Sequence, residues 1–119
     1  MARLYYVHWD KAETLATVRA LRAAGHVVRY HCDTGPGAGS RAWKQLAESP
    51  PDVLVVNLER LPSHGRRVAA VTREKRRLND LPVVFVGGAR DKVARARAEF
   101  PAARFTTPGR LFATLRALE

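Results

Sequence analysis

The chain has 119 residues, the size of one ordinary domain, so one hydrophobic core is expected and a second domain has little room. Its single cysteine, Cys32, cannot form an internal bridge, and no Cys and His cluster has zinc-like spacing. A disulfide scaffold and a zinc module are thereby excluded, and a reducing cytoplasm is the expected setting. Lys and Arg number 21 against 11 Asp and Glu, a formal net charge of +10 that draws polyanions at long range, although arginine-rich composition also follows from GC-rich coding.

The opening residues, "MARLYYVHWDK", lack the apolar stretch of a signal peptide, and no later run approaches the ~20 apolar residues that cross a bilayer. No membrane contact is expected. "RLYYVHW" reads as a first strand, and in "DKAETLATVRALRAAG" Leu15, Val18, Leu21 and Arg22 fall at helical spacing. Asp10 and Glu13 form a D-x-x-E capping box at the start of that helix, and Gly25 marks its end.

"HVVRYHC" predicts a second strand, "DTGPGAGS" a flexible loop, and "RAWKQLAES" a helix with Trp43, Leu46 and Ala47 on one face, stopped by Pro50 and Pro51. The glycines of that loop echo a dinucleotide fingerprint. However, they follow the second strand, lack the third glycine in place, and lack the Lys-Ser/Thr of a P-loop. "DVLVVN" and "LPVVFVGG" show no polar alternation, as strands buried on both faces of a parallel sheet do.

Between those strands, "HGRRVAAVTREKRRLND" sets Val68, Val71 and Leu78 on a narrow apolar stripe beside a wide basic face. "ARDKVARARAEF" offers Val93, Ala96 and Phe100, "ARFTTP" a short fifth strand, and "GRLFATLRALE" a last amphipathic helix through Leu111, Phe112, Leu115 and Leu118. Five strand-helix units require parallel strands with right-handed crossovers, for which a doubly wound, flavodoxin-like α/β sheet of order 2-1-3-4-5 is the natural arrangement. Ligands of such sheets meet the carboxyl ends of the strands, which would collect His8, Trp9, Asp10, Asn57, Gly87, Gly88, Thr106 and Thr107.

With these residues in place, the whole chain, residues 1–119, resembles the receiver domain of two-component response regulators. The distance from His8 to Gly25 matches that from the receivers' acidic cluster to the glycine ending their first helix. "PDVLVVNLERLPSHG" lies without a gap on P-D-x-x-x-x-D-x-x-x-P-x-x-x-G, and "LPVVFVGG" and "ARFTTPG" fall on the P-V-I-x-x-T/S-A and aromatic-x-x-K-P segments. The departures are concentrated in the family's chemistry. Its phosphoacceptor aspartate aligns with Asn57, its magnesium-holding acidic pair with His8 and Trp9, its threonine or serine with Gly87, its lysine with Thr107 and its switch aromatic with Arg104, while the proline is displaced to Pro62.

Phosphoryl transfer to a side chain requires a carboxylate nucleophile and a divalent cation, whereas Asn57 is neutral and magnesium favours hard oxygen ligands that His8 and Trp9 do not supply. The resemblance therefore implies a non-catalytic pseudo-receiver with no cofactor, no catalytic residue and no magnesium at the former acidic site, in which Asn57 serves as a structural polar tip. A protein partner, including a second copy of the chain, is expected on the fifth-strand face through Arg104, Phe105, Arg110 and Phe112. Two alternatives stand beside this reading. One is phosphate-backbone contact by Arg66, Arg67, Arg73, Lys75, Arg76, Arg77 and Arg90, which would be insensitive to nucleic-acid sequence because no aromatic residues interleave to stack bases. The other is an anionic metabolite at Gly87, Gly88 and Arg90. Trp9, at a strand end, is a candidate partner contact, and the remaining large aromatics are core or edge packing.

Overall fold

The computed structural model describes residues 2–32, 38–59, 66–70, 78 and 80–118, with the backbone alone at residues 38–40 and 42. Five strands, β1 (Arg3–Val7), β2 (Val27–His31), β3 (Val53–Asn57), β4 (Val83–Val86) and β5 (Arg104–Thr106), form one parallel sheet of order β2-β1-β3-β4-β5. Helices α1 (Lys11–Ala23), α2 (Ala38–Glu48), α4 (Arg90–Glu99) and α5 (Leu111–Ala117) connect and follow them. Residues 66–70 are helical and are designated α3. The expected strand order is thus the observed one.

Strand alternation divides the core into two layers. Tyr5, Val7 and Trp9 of the first strand region, Leu54 and Val56 of β3 and Phe85 of β4 pack with Leu46, Val68, Ala96 and Phe100 from α2, α3 and the α4 region. Leu4 and Tyr6, Val53 and Val55, and Val84 and Val86 face the other way, against Val18 and Leu21 of α1 and Leu111 and Leu115 of α5. β3 is buried along its whole length, which explains why its sequence shows no polar alternation. Each of these fully buried aliphatic side chains contributes about 1.5–3 kcal/mol through removal from water.

Local chemistry sets the helix ends. Asp10, in extended conformation, accepts a hydrogen bond from Glu13 N at 2.8 Å, and Gly25 (φ +98°) allows the turn that leads into β2. Edge strand β2 is partly protected, because Arg22 Nη2 donates to Val28 O at 2.7 Å.

Several expectations of detail change. Thr14, whose hydroxyl donates to Asp10 O at 2.7 Å, is the buried residue of the first turn of α1, while Leu15 is half-buried and Arg22 exposed. α2 starts at Ala38, so part of the glycine-containing stretch is helix, and residues 33–37 lie outside the described residues. Phe112 is exposed, so the buried face of α5 is carried by Leu111 and Leu115. Val71 lies outside the described residues.

Candidate functional site

At the carboxyl end of β3, Asn57 is buried and both ends of its amide are engaged. Its Nδ2 donates to the Tyr6 hydroxyl at 3.0 Å, and its Oδ1 accepts from the backbone N–H of Glu59 at 2.8 Å, the local turn typical of Asn beyond a strand. Tyr6 in turn hydrogen-bonds Thr17 on α1, and burial pushes its phenol above the ordinary value despite the help of Asn57. The amide thus joins three segments: β1, β3 and the loop that leaves β3.

That loop crosses to the next one through a residue the sequence reading passed over. Glu59 Oε1 accepts from Gly88 N at 3.1 Å, tying the exit of β3 to the turn between β4 and α4. Gly87 and Gly88 both have positive φ, +69° and +96°, which L side chains rarely adopt. A Cβ on Gly87 would lie 2.4 Å from Glu59 Oε1, and one on Gly88 2.7 Å from Leu58 Cβ. These glycines make room for Glu59 and Leu58. In addition, Leu58 N donates to Val86 O at 2.9 Å and Gly87 N to Thr106 O at 3.0 Å, so the tips of β3, β4 and β5 are held together by backbone.

The positions aligned with the receivers' acidic pair turn into opposite layers. His8 is fully buried; its Nε2 lies 2.9 Å from Glu13 Oε1, and its Nδ1 has no hydrogen-bond partner. At the start of α1, Asp10 receives Glu13 N and the Glu13 side chain reaches His8, so the cap and the buried imidazole are linked. Trp9, expected as an exposed partner contact, is instead buried and meets His31 edge-on at 5.0 Å between ring centroids. Among the described residues, no three His, Cys, Asp or Glu side chains gather where they could share a metal ion. Magnesium does not fit this donor set, because His8 and Trp9 offer a buried imidazole and a buried indole, and Asn57 a neutral amide, where the ion takes hard, mostly carboxylate oxygen ligands.

The other candidates separate. Thr107 is exposed and precedes the 3-10 turn Pro108–Arg110 without capping it, while Thr106 Oγ1 accepts from Thr114 Oγ1 at 2.9 Å. Arg104, Phe105 and Arg110 share an open cleft of about 640 Å3 between β5 and α5. Phe105 also stacks on Phe85 at 5.2 Å and lies 4.7 Å beneath the Arg97 guanidinium, whereas Phe112 borders a different cavity of about 240 Å3 with Tyr6, Thr17 and Asn57. The four residues expected on one fifth-strand surface thus sit on two sides of α5. In the basic segment, Arg67 and Arg90 are exposed, but Arg66 is buried and its Nε lies 3.4 Å from Glu99 Oε2, which removes it from any solvated cationic face. Arg73, Lys75, Arg76, Arg77 and Pro62 lie outside the described residues.

Tyr6 and Glu59 were not singled out from sequence as site residues, and Glu13 was read only as part of the helix cap. Tyr6 carried a usable signal, since it alternates with Tyr5 and shares a face with His8. Glu59 carried only the N-x-E spacing after a strand, with its partner 29 residues away.

No protein-family model and no curated protein matches the sequence. Solved structures do match, and they are receiver domains. The chemotaxis protein CheY4 of Vibrio cholerae superposes with a TM-score of 0.78 at 17% identity, covering 100% of this chain and 99% of that one. The response regulator TrrA of Thermotoga maritima, in complex with Mg2+-BeF, gives 0.78 at 17% identity with both chains covered in full, and TrrA is also seen bound to the histidine kinase ThkA. The pseudo-receiver domain of CikA gives 0.69 at 19% identity, covering 99% and 97%. The fold is therefore the flavodoxin-like α/β fold of receiver domains. No helix among the described residues is long and apolar enough to cross a membrane.

Proposed function

We propose that the chain is a receiver-like interaction module, with residues 1–119 forming one domain, that works in the cytoplasm through its surfaces and is not phosphorylated at the tip of β3. The observation that carries this reading is the pair of hydrogen bonds made by Asn57, to Tyr6 and from Glu59. The residue aligned with the family's phosphoacceptor is a neutral amide already engaged at both ends, and an amide is a very poor nucleophile. Magnesium is not required for this role, nor is another cofactor or any catalytic residue. The presence of a pseudo-receiver domain among the similar structures supports the reading.

A protein partner is the expected target, as TrrA has in the kinase ThkA. The cleft bordered by Arg104, Phe105 and Arg110 is its proposed contact, whether with another protein or with a second copy of the chain. A second reading, binding to a nucleic-acid backbone, is favoured by the net charge of +10 and by exposed Arg67 and Arg90. It predicts an affinity that falls steeply with salt, which a specific protein contact does not require. A metabolite anion at Gly87 and Gly88 is the less favoured reading, because the Glu59 carboxylate already accepts the Gly88 N–H.

The direct test is incubation with Mg2+ and acetyl phosphate followed by intact-mass measurement. An unchanged mass is expected; a protein heavier by one phosphoryl group on residues 52–59 would overturn the proposal.

A further inference from the structure

We propose that Glu59 is a built-in clasp: its carboxylate acts as a permanent, tethered anion that holds the turn between β4 and α4 in one position, with no added phosphoryl group or metal. This rests on the reading of the tip as unphosphorylated and adds how the tip is kept in a single state. The clasp has three parts. Asn57 Oδ1 fixes the Glu59 backbone N–H at 2.8 Å, which sets the direction in which the side chain leaves the loop. Glu59 Oε1 then receives the Gly88 N–H at 3.1 Å, a charge-assisted bond one residue before Ala89, the N-cap of α4, where negative charge also meets the positive end of the helix.

The receiving turn is shaped for that carboxylate. Gly87 has no Cβ at the point where one would stand 2.4 Å from Glu59 Oε1, and its φ of +69° turns the chain so that the next N–H faces the carboxylate. Asn57 is thereby both a neutral amide at the position aligned with the receivers' aspartate and the anchor of the group that holds the Gly88 turn. Glu59 is exposed, so the bond competes with water and can be opened by a partner that covers it or offers a stronger donor. The turn preceding α4 is then the movable part of the module, and Glu59 sets how often it moves.

Hydrogen exchange at single amides in the full chain tests this, comparing wild type with Glu59→Ala and Glu59→Gln. The Gly88 amide should exchange ~tenfold faster in Glu59→Ala, with Glu59→Gln in between, while the amides of β3 and β4 keep their rates. Adding acetate to Glu59→Ala should slow Gly88 again, whereas chloride at equal ionic strength should not. Equal Gly88 rates in wild type and Glu59→Ala would overturn the clasp, as would faster exchange that acetate leaves untouched. Failure of the clasp is separable from failure of the underlying reading: a phosphodonor that leaves the mass unchanged while Gly88 ignores Glu59 removes the clasp alone, and a phosphorylated chain removes the reading.

Discussion

The two faces of the first strand region use the same residue types for different work. On one face Tyr5 lies under the Arg29 guanidinium at 5.3 Å and donates its hydroxyl to Gln45 Oε1, while Trp9 packs on His31, so the pair serves as bulk between the sheet and α2. On the other face Tyr6 receives Asn57 and His8 meets Glu13, so the pair organises the tip and the start of α1. The two positions aligned with the receivers' acids thus fall on opposite sides of the sheet by simple alternation. Tyr6, His8 and Trp9 are all drawn into the buried layers, and among the described residues no three His, Cys, Asp or Glu side chains gather to hold a cation. On the proposed reading, the difference from the receiver pattern lies in residue type at the tip and not in strand register.

This contrast can be broken at several points. Leu54→Ala, in the layer of Tyr5 and Trp9, should cost about 2–5 kcal/mol in urea unfolding, since Leu54 is fully buried and its removal leaves a cavity. Gly88→Ala should cost about 1–3 kcal/mol, because its φ of +96° is strained for alanine and its Cβ would meet that of Leu58. The two phenols then separate the faces. Tyr6→Phe leaves a buried Asn57 donor unpaired and should cost about 1–3 kcal/mol. Tyr5→Phe should cost less than about 1 kcal/mol, because Gln45 is exposed and its amide turns to water. Equal effects would erase the distinction between a packing face and an organising face.

Alkaline titration examines both phenols without mutation. Burial pushes Tyr5 up to about 12, against the opposing pull of Arg29, and raises Tyr6 as well. Because the folded values exceed the unfolded value of 10.0, stability from these groups is complete below pH 10 and is lost as pH rises from there towards 12. Absorbance at 295 nm should show these two phenols ionising late and together with unfolding; early, reversible ionisation in the folded protein would contradict their burial.

Much of the fold was legible. Unbroken apolar runs at "DVLVVN" and "LPVVFVGG", separated by helical spacing, leave few arrangements other than a parallel sheet, and the order β2-β1-β3-β4-β5 follows from alternating connections. The capping role of Asp10 and the stop at Gly25 were also legible, since both act within a few residues. The site was legible only as a set of positions. Glu59 gains its meaning from Gly88, which only the folded chain brings near, and Arg66 looks like its basic neighbours until Glu99 is placed against it. Trp9 was misjudged because a strand end can turn either way, and the layer of Leu46 and Phe100 gave it somewhere to go.

Asn57, Glu59 and the glycine pair are best probed together by following the backbone amide resonances of Glu59, Gly87 and Gly88 while Mg2+ and beryllofluoride are added to the full chain. The account predicts that these signals stay in place through millimolar additions, because the Asn57 amide and the Glu59 carboxylate are already engaged by groups of the chain itself. A saturable shift of all three, with a stoichiometry of one ion complex per chain, would show that the tip still binds what receivers bind, and the central claim would fail.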